Sequence, residues 1–205
     1  MPRYVDPDQR RRDIVDATNQ VVAEKGLSGL TFRAVADRLG GSTTLVTHYF
    51  ASQEELLNGL TTSLLDTWTV ELAELEADSD DPRDRLMILL EWLVPIDDEG
   101  RMQERARINL LAEQILGGKT RHLFEAWETH IRDFLREHLR QIVPKRDLEM
   151  RVGALRALTN GLTLSAIEHP DRWPPEQVLA VLHQCAADMG LAPTNTRTPR
   201  KLVAG

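Results

Sequence analysis

Apolar residues recur at spacings of three and four along almost the whole chain, and nowhere does the two-residue alternation of a half-buried strand persist. That pattern confines the fold to the all-α class. Its interruptions carry their own start and stop residues. A first helix is expected from about Gln9 to Lys25, with Ile14, Ala17, Thr18, Val21 and Val22 on one face and Gly26 as its stop. Thr31 is placed to cap a short second helix bearing Phe32, Val35, Ala36 and Leu39, which Gly40-Gly41 ends. Ser42 caps a third, reaching about Tyr49. Ser52-Gln53-Glu54-Glu55 has the spacing of a capping box and opens a long fourth helix to about Ala77, with Leu56, Leu60, Leu64, Trp68 and Leu72 expected along one side.

Asp78 to Asp81 breaks the pattern, and Pro82 suits the first position of a fifth helix. Pro95, Gly100, Gly117-Gly118, Pro144 and the run His169 to Pro175 punctuate further helices. Past Gly190 the chain turns polar and proline-bearing, the composition of a disordered tail. The expected organisation is therefore a small head over residues 1–60, a larger helical body over 61–190 and a tail over 191–205.

Charge narrows the functional classes. Residues 1–60 carry 7 Lys/Arg against 8 Asp/Glu, and the remainder 18 against 24, within a net charge of −7. Neither part is basic, so any affinity for nucleic acid has to come from a local motif. No apolar run approaches a membrane span and the N-terminus lacks a signal-peptide pattern, so a cytoplasmic location is expected. The single cysteine, Cys185, fits a reducing compartment.

The local motif lies between Thr31 and Phe50. Two short helices joined through a glycine turn are the elements of a helix-turn-helix. Ala36 is small where the helices must cross, and Gly40 can adopt the left-handed conformation of a tight exit. With Val35, Leu39 and Val46 packed inward, Ser42, Thr43, Thr44, Thr47 and His48 form the exposed face of the third helix. Short hydroxyl side chains can reach phosphates and base edges in a groove. Thr31 and Arg33 stand at the N-terminus of the second helix, where free amides favour a phosphate.

The run from Gly26 to Gly40, continuing through Ser42 to His48-Tyr49-Phe50 and Glu54-Glu55-Leu56-Leu57, resembles the N-terminal signature of TetR-family regulators, and Asn160 to Pro175 resembles their penultimate-helix region. The resemblance implies an N-terminal three-helix helix-turn-helix domain joined by a long helix to a C-terminal helical domain that binds a small molecule and dimerises. It implies a double-stranded DNA operator, an unknown effector, a homodimer, no cofactor and no membrane. Three positions depart from the family: Gly41 replaces an aliphatic residue, Thr47 a tyrosine, and Gln53 a lysine. The last two usually touch phosphates, and the resemblance keeps Thr47 and Gln53 as DNA-binding candidates that can still donate hydrogen bonds there, while the charge at position 53 is lost. Arg3 and Arg10-Arg11-Arg12 are the candidates to make up that charge as an arm beside the groove. The same departures leave open a helical regulator that acts through protein partners without DNA.

For the ligand, Trp68, Met87, Trp92, Phe124, Trp127 and Ile131 are candidates to line an apolar pocket, and the eight-residue spacing of His122, His130 and His138 offers polar groups nearby. For the dimer, Leu155, Leu158, Leu162, Val178, Val181, Leu182 and Cys185 on the last two helices suggest a four-helix seam. No enzyme is expected. The chain has no phosphate-binding glycine loop, no Glu-x-x-His or His-x-x-x-His pair, and Cys185 sits among apolar neighbours. No catalytic or metal-binding residue is nominated.

Overall fold

The computed structural model describes residues 6–115 and 121–193; Arg3, Gly117-Gly118 and the tail beyond Pro193 lie outside the described residues. All regular structure among them is helical: α1 (Pro7–Lys25), α2 (Phe32–Leu39), α3 (Thr43–Tyr49), α4 (Gln53–Glu76), α5 (Pro82–Trp92), α6 (Asp98–Ile115), α7 (Arg121–Leu139), α8 (Leu148–Glu168) and α9 (Pro175–Asp188), with single 3-10 turns at Leu27–Gly29 and Lys145–Asp147. The chain divides into two compact units between Trp68 and Thr69, inside α4.

In the first unit α1 packs on α2 and α2 on α3. Helix α1 begins two residues earlier than its apolar pattern suggests. Asp6 accepts from the Asp8 amide at 3.1 Å and Pro7 occupies the first turn, where its missing N–H costs nothing. Ile14, Val21, Leu30, Val35, Val46, Phe50 and Leu56 are all buried to 1% exposure or less. Each such side chain contributes roughly 1.5–3 kcal/mol through burial. Gly59 is part of this packing: a Cβ there would lie 2.9 Å from the Phe50 ring and 3.3 Å from Val15. The bare glycine lets the aromatic ring lie against α4.

In the second unit α5 is buried on every side from Leu86 to Glu91, the behaviour of a helix enclosed by others. Helices α7 and α9 pack on it, and α8 packs on α6, α7 and α9. Two carboxylates, the buried Glu91 and the half-buried Glu128, are matched. Glu91 accepts from His183 Nε2 at 2.8 Å, and Glu128 pairs with Arg156 at 2.8 Å and Arg132 at 2.8 Å. Burial would raise the Glu128 pKa, but the two arginines outweigh it and hold the carboxyl below its ordinary range.

Helix α4 ends on a titratable clasp. His138 Nδ1 lies 2.7 Å from the Phe134 carbonyl and Nε2 2.6 Å from Glu76. The Phe134 carbonyl and an ionised Glu76 are both acceptors, so the protonated ring can donate from both nitrogens. Burial pulls its pKa down, yet the hydrogen bonds to Glu76 and Phe134 and the charges of Glu76 and Glu137 raise it on balance. A raised histidine stabilises the fold fully below its unfolded value, near ~6.5, and that contribution fades as pH climbs through the folded value. Urea midpoints should therefore fall as pH rises above the ordinary histidine value, and His138→Gln should flatten that decline. An equal slope in the variant would remove the clasp from the account.

Candidate nucleic-acid interface

The turn between α2 and α3 is built by its end residues. Thr31 Oγ1 accepts from the Ala34 amide at 3.1 Å and Ser42 Oγ from the Leu45 amide at 3.3 Å, so both helices are capped as their sequences require. Gly40 is left-handed, φ 64° and ψ 27°, and the Gly41 amide closes onto Ala36 O at 2.9 Å. Gly41 has no positive φ.

On α3 only Val46 is fully enclosed. Leu45 and Tyr49 are half-buried, and Ser42, Thr43, Thr44, Thr47 and His48 are exposed together. The sequence expects that same face. Thr47 Oγ1 donates to Thr44 O at 3.3 Å, which leaves its oxygen able to accept. The His48 ring stands edge-on to Tyr49, 5.2 Å between centroids. Arg33, in the first turn of α2, is solvated at 86% side-chain exposure, with Asp37 no nearer than 4.0 Å.

Other cations of this unit are engaged by its own residues. Arg10 pairs with Asp13 at 3.7 Å, Arg12 donates to Gln9 at 2.9 Å, and Arg38 is bonded to Glu24. Arg11 crosses to α3: its guanidinium donates to the Tyr49 carbonyl at 3.1 Å and covers the Phe50 ring, 4.2 Å from the centroid. The arginine trio is thus tied to the first unit's own helices. Gln53 likewise turns back, donating to Leu30 O at 2.5 Å across 23 residues, and so braces the entry to α2. Neither contact has a sequence signature, since each joins residues remote in the chain.

The candidate ligand residues fall into separate groups. Met87 and Ile131 are core, at 2% and 8% exposure. Trp92 meets Phe134 edge-on at 6.3 Å, Phe134 in turn meets His130 edge-on at 4.4 Å, and His130 reaches Thr69 at 3.2 Å. Phe124 and Trp127 form a second pair at 5.1 Å. Phe124 also lines an open cavity of about 360 Å³ with Arg121, Glu125, Glu128 and Thr129, all on α7. Trp68 is half-buried at the end of the first unit. Phe134, Arg121, Glu125 and Glu128 are lining or linking residues that periodicity alone gives no reason to select.

The candidate seam residues differ in exposure. Leu155, Leu162, Val178 and Leu182 are at most 4% exposed within the chain itself and have no surface to offer a partner; Leu158, Val181 and Cys185 are half-buried. The exposed stripe of α8 is instead Met150, Ala157, Gly161 and Leu164, which share one side of the helix. Among the described residues no His, Cys, Asp and Glu side chains group to hold a metal ion, and no helix is long and apolar enough to cross a membrane.

Comparison with known proteins accounts for this architecture. Residues 14–60 match the family of bacterial regulatory proteins of tetR type, and residues 82–190, over half of the chain, match the C-terminal region of BetI-type transcriptional repressors. The HTH-type transcriptional regulator PksA of Bacillus subtilis is 24% identical over 190 residues, 90% of this chain and 91% of that protein. The HTH-type transcriptional regulator BetI of Burkholderia thailandensis is 39% identical over 87 residues, 42% of this chain and 45% of that protein. The crystal structure of a transcriptional regulator from Rhodococcus sp. Rha1 superposes with a TM-score of 0.63 at 28% identity, over 84% of this chain and 91% of that one. Proteins of this kind are regulators and not enzymes. With its capped pair α2–α3 and its all-helical body, the chain belongs to the TetR family of DNA-binding transcriptional regulators, with a C-terminal region of the BetI type.

Proposed function

We propose that the protein is a dimeric repressor that leaves a near-palindromic operator when a small molecule binds its helical body. The observation that carries the reading is the exposed row Thr43, Thr44, Thr47 and His48 on a capped α3, beside the solvated Arg33. In this mechanism the two copies of α3 enter successive major grooves about 34 Å apart, and Ser42, Thr31 and Arg33 meet phosphates. The match to BetI-type repressors supports repression as the sign of control. Helix α4, unbroken from Gln53 to Glu76, carries displacement from the body to the head. A coupling of about 1–3 kcal/mol suffices for release. The α7 cavity and the Trp92–Phe134–His130 row are the groups best suited to receive the effector.

The second subunit is assigned to the exposed side of α8. Gly153 and Gly161 each cost the helix about 1 kcal/mol relative to alanine. A Cβ at either would meet nothing within 4 Å in its own chain. Internal packing therefore gives no reason for them, whereas the close approach of a second backbone does. Met150, at 81% exposure, and Leu164, at 45%, supply the apolar knobs beside those gaps.

Selection of duplexes from genomic DNA by the purified protein tests the reading. A near-palindromic site should be recovered, and Arg33→Ala should weaken binding evenly across sequences while lowering the log–log salt slope by about 0.9. Failure of a folded dimer to enrich any sequence would move the function to protein partners. An unchanged slope in Arg33→Ala would remove Arg33 from the phosphate contacts.

A further inference from the structure

We infer that Arg11 is a positioning residue for DNA recognition: it sets the angle of α3 by gripping that helix's C-terminal end from α1. The inference rests on the DNA-binding reading above. Helix α3 has seven residues, about 10 Å of length, and a single fully buried side chain, Val46. Its N-terminal cap, Ser42, is bonded within the helix's own first turn and orients nothing else. The other anchor is at the far end. The Tyr49 carbonyl belongs to the last turn, where helix carbonyls have no partner within the helix. Arg11 fills that vacancy at 3.1 Å and places its positive charge where the helix dipole is negative.

The same guanidinium covers Phe50, the residue that ends α3. Phe50 is fully buried, and its ring lies on the bare Cα of Gly59 and beside Val15. Arg11, Phe50 and Gly59 thus bind the exit of α3 to α1 and α4 at one point. Thr47 and His48 lie on the last turn of α3, directly before that point, so their reach into a groove depends on it. A lysine lacks the planar fork that bonds a carbonyl and stacks on a ring together. Used in this way, Arg11 is not spent on a phosphate, although it lies in a run of three arginines that reads as a basic arm.

Three variants and two readouts separate positioning from direct contact. In the free protein, amide hydrogen exchange across residues 43–50 should quicken about fivefold or more in Arg11→Ala and stay unchanged in Arg12→Ala. On the duplex that the wild type recovers from genomic DNA, Arg11→Ala should bind about tenfold more weakly at every salt concentration, the equivalent of about 1.4 kcal/mol, with the salt slope unchanged. On mixed-sequence duplex the loss should be small, because misdirected side chains forfeit base contacts more than phosphate contacts. Phe50→Leu, which keeps the Arg11 charge, should reproduce the loss on the selected duplex. Unchanged exchange in Arg11→Ala overturns the inference whether or not DNA is bound. A salt slope lower by about one unit, with equal losses on both duplexes, overturns it in favour of a phosphate contact. Should the wild type select no duplex, the DNA reading falls, and the exchange measurement alone still decides whether Arg11 holds α3.

Discussion

Leu155→Ala is expected to lower the unfolding free energy by about 2–5 kcal/mol while leaving the dimer dissociation constant of the folded protein unchanged. Leu155 is fully enclosed by its own chain, on the side of α8 that faces the core, and Leu182 on α9 is in the same position. Truncation removes the transfer energy of the lost methyl groups and leaves a cavity that helices held on several sides cannot close. The penalty falls on the fold of each subunit. Urea denaturation at two protein concentrations, with sedimentation of the folded protein, separates the terms. A variant of wild-type stability that dissociates more readily would return Leu155 to the subunit interface.

Why the periodicity suggests the opposite is a matter of helix geometry. Helix α8 is apolar or small on two sides: Val152, Leu155 and Leu162 look inward, while Gly153, Ala157, Gly161 and Leu164 lie on another side. A repeat of 3.6 residues marks which residues share a side, but not which side meets the core. Large leucines read as a seam until their burial is known, and here Leu155 and Leu162 belong to the chain's own core. The row from Leu56 to Leu72 has a related ambiguity. Steps of four residues turn by about 40° each, so the row winds around α4 and does not keep one face. Leu56 and Leu72 are buried while Leu60, Leu64 and Trp68 are only half-buried.

Local chemistry was far more legible. Thr31, Gly40, Ser42 and Pro82 occupy the helix ends that their side chains and backbone preferences dictate. The capping box at α4 forms with one change: Ser52 accepts from the Glu55 amide at 3.1 Å, but Glu55 reaches back to the Ala51 amide at 2.7 Å. The exposed face of α3 follows from the same short-range rules. Contacts that decide how α2 and α3 are held, Gln53 to Leu30 and Arg11 to Tyr49, span 23 and 38 residues. They exist only once the helices have packed, and an arginine run or a lone glutamine announces neither.

Ala157→Glu should abolish the dimer and, with it, tight operator binding. Ala157 is exposed in the single chain and lies in the stripe that carries Gly161 and Leu164. Glutamate is a good helix former, so the variant subunit should keep its own fold. Across a two-fold seam the substitution sets two carboxylates against each other and strips them of water, and no cation of this stripe is available to pair with them. The monomer then presents one α3 to one half-site. Joining two half-sites in one dimer raises avidity by about 10²–10⁴, so a loss of that order on the selected duplex is expected. Sedimentation should show the single-chain mass at concentrations where the wild type is dimeric, with the helical circular dichroism preserved. If Ala157→Glu sediments as a dimer and binds the duplex as the wild type does, the second copy docks elsewhere, and Gly153 and Gly161 need another reason to lack a side chain.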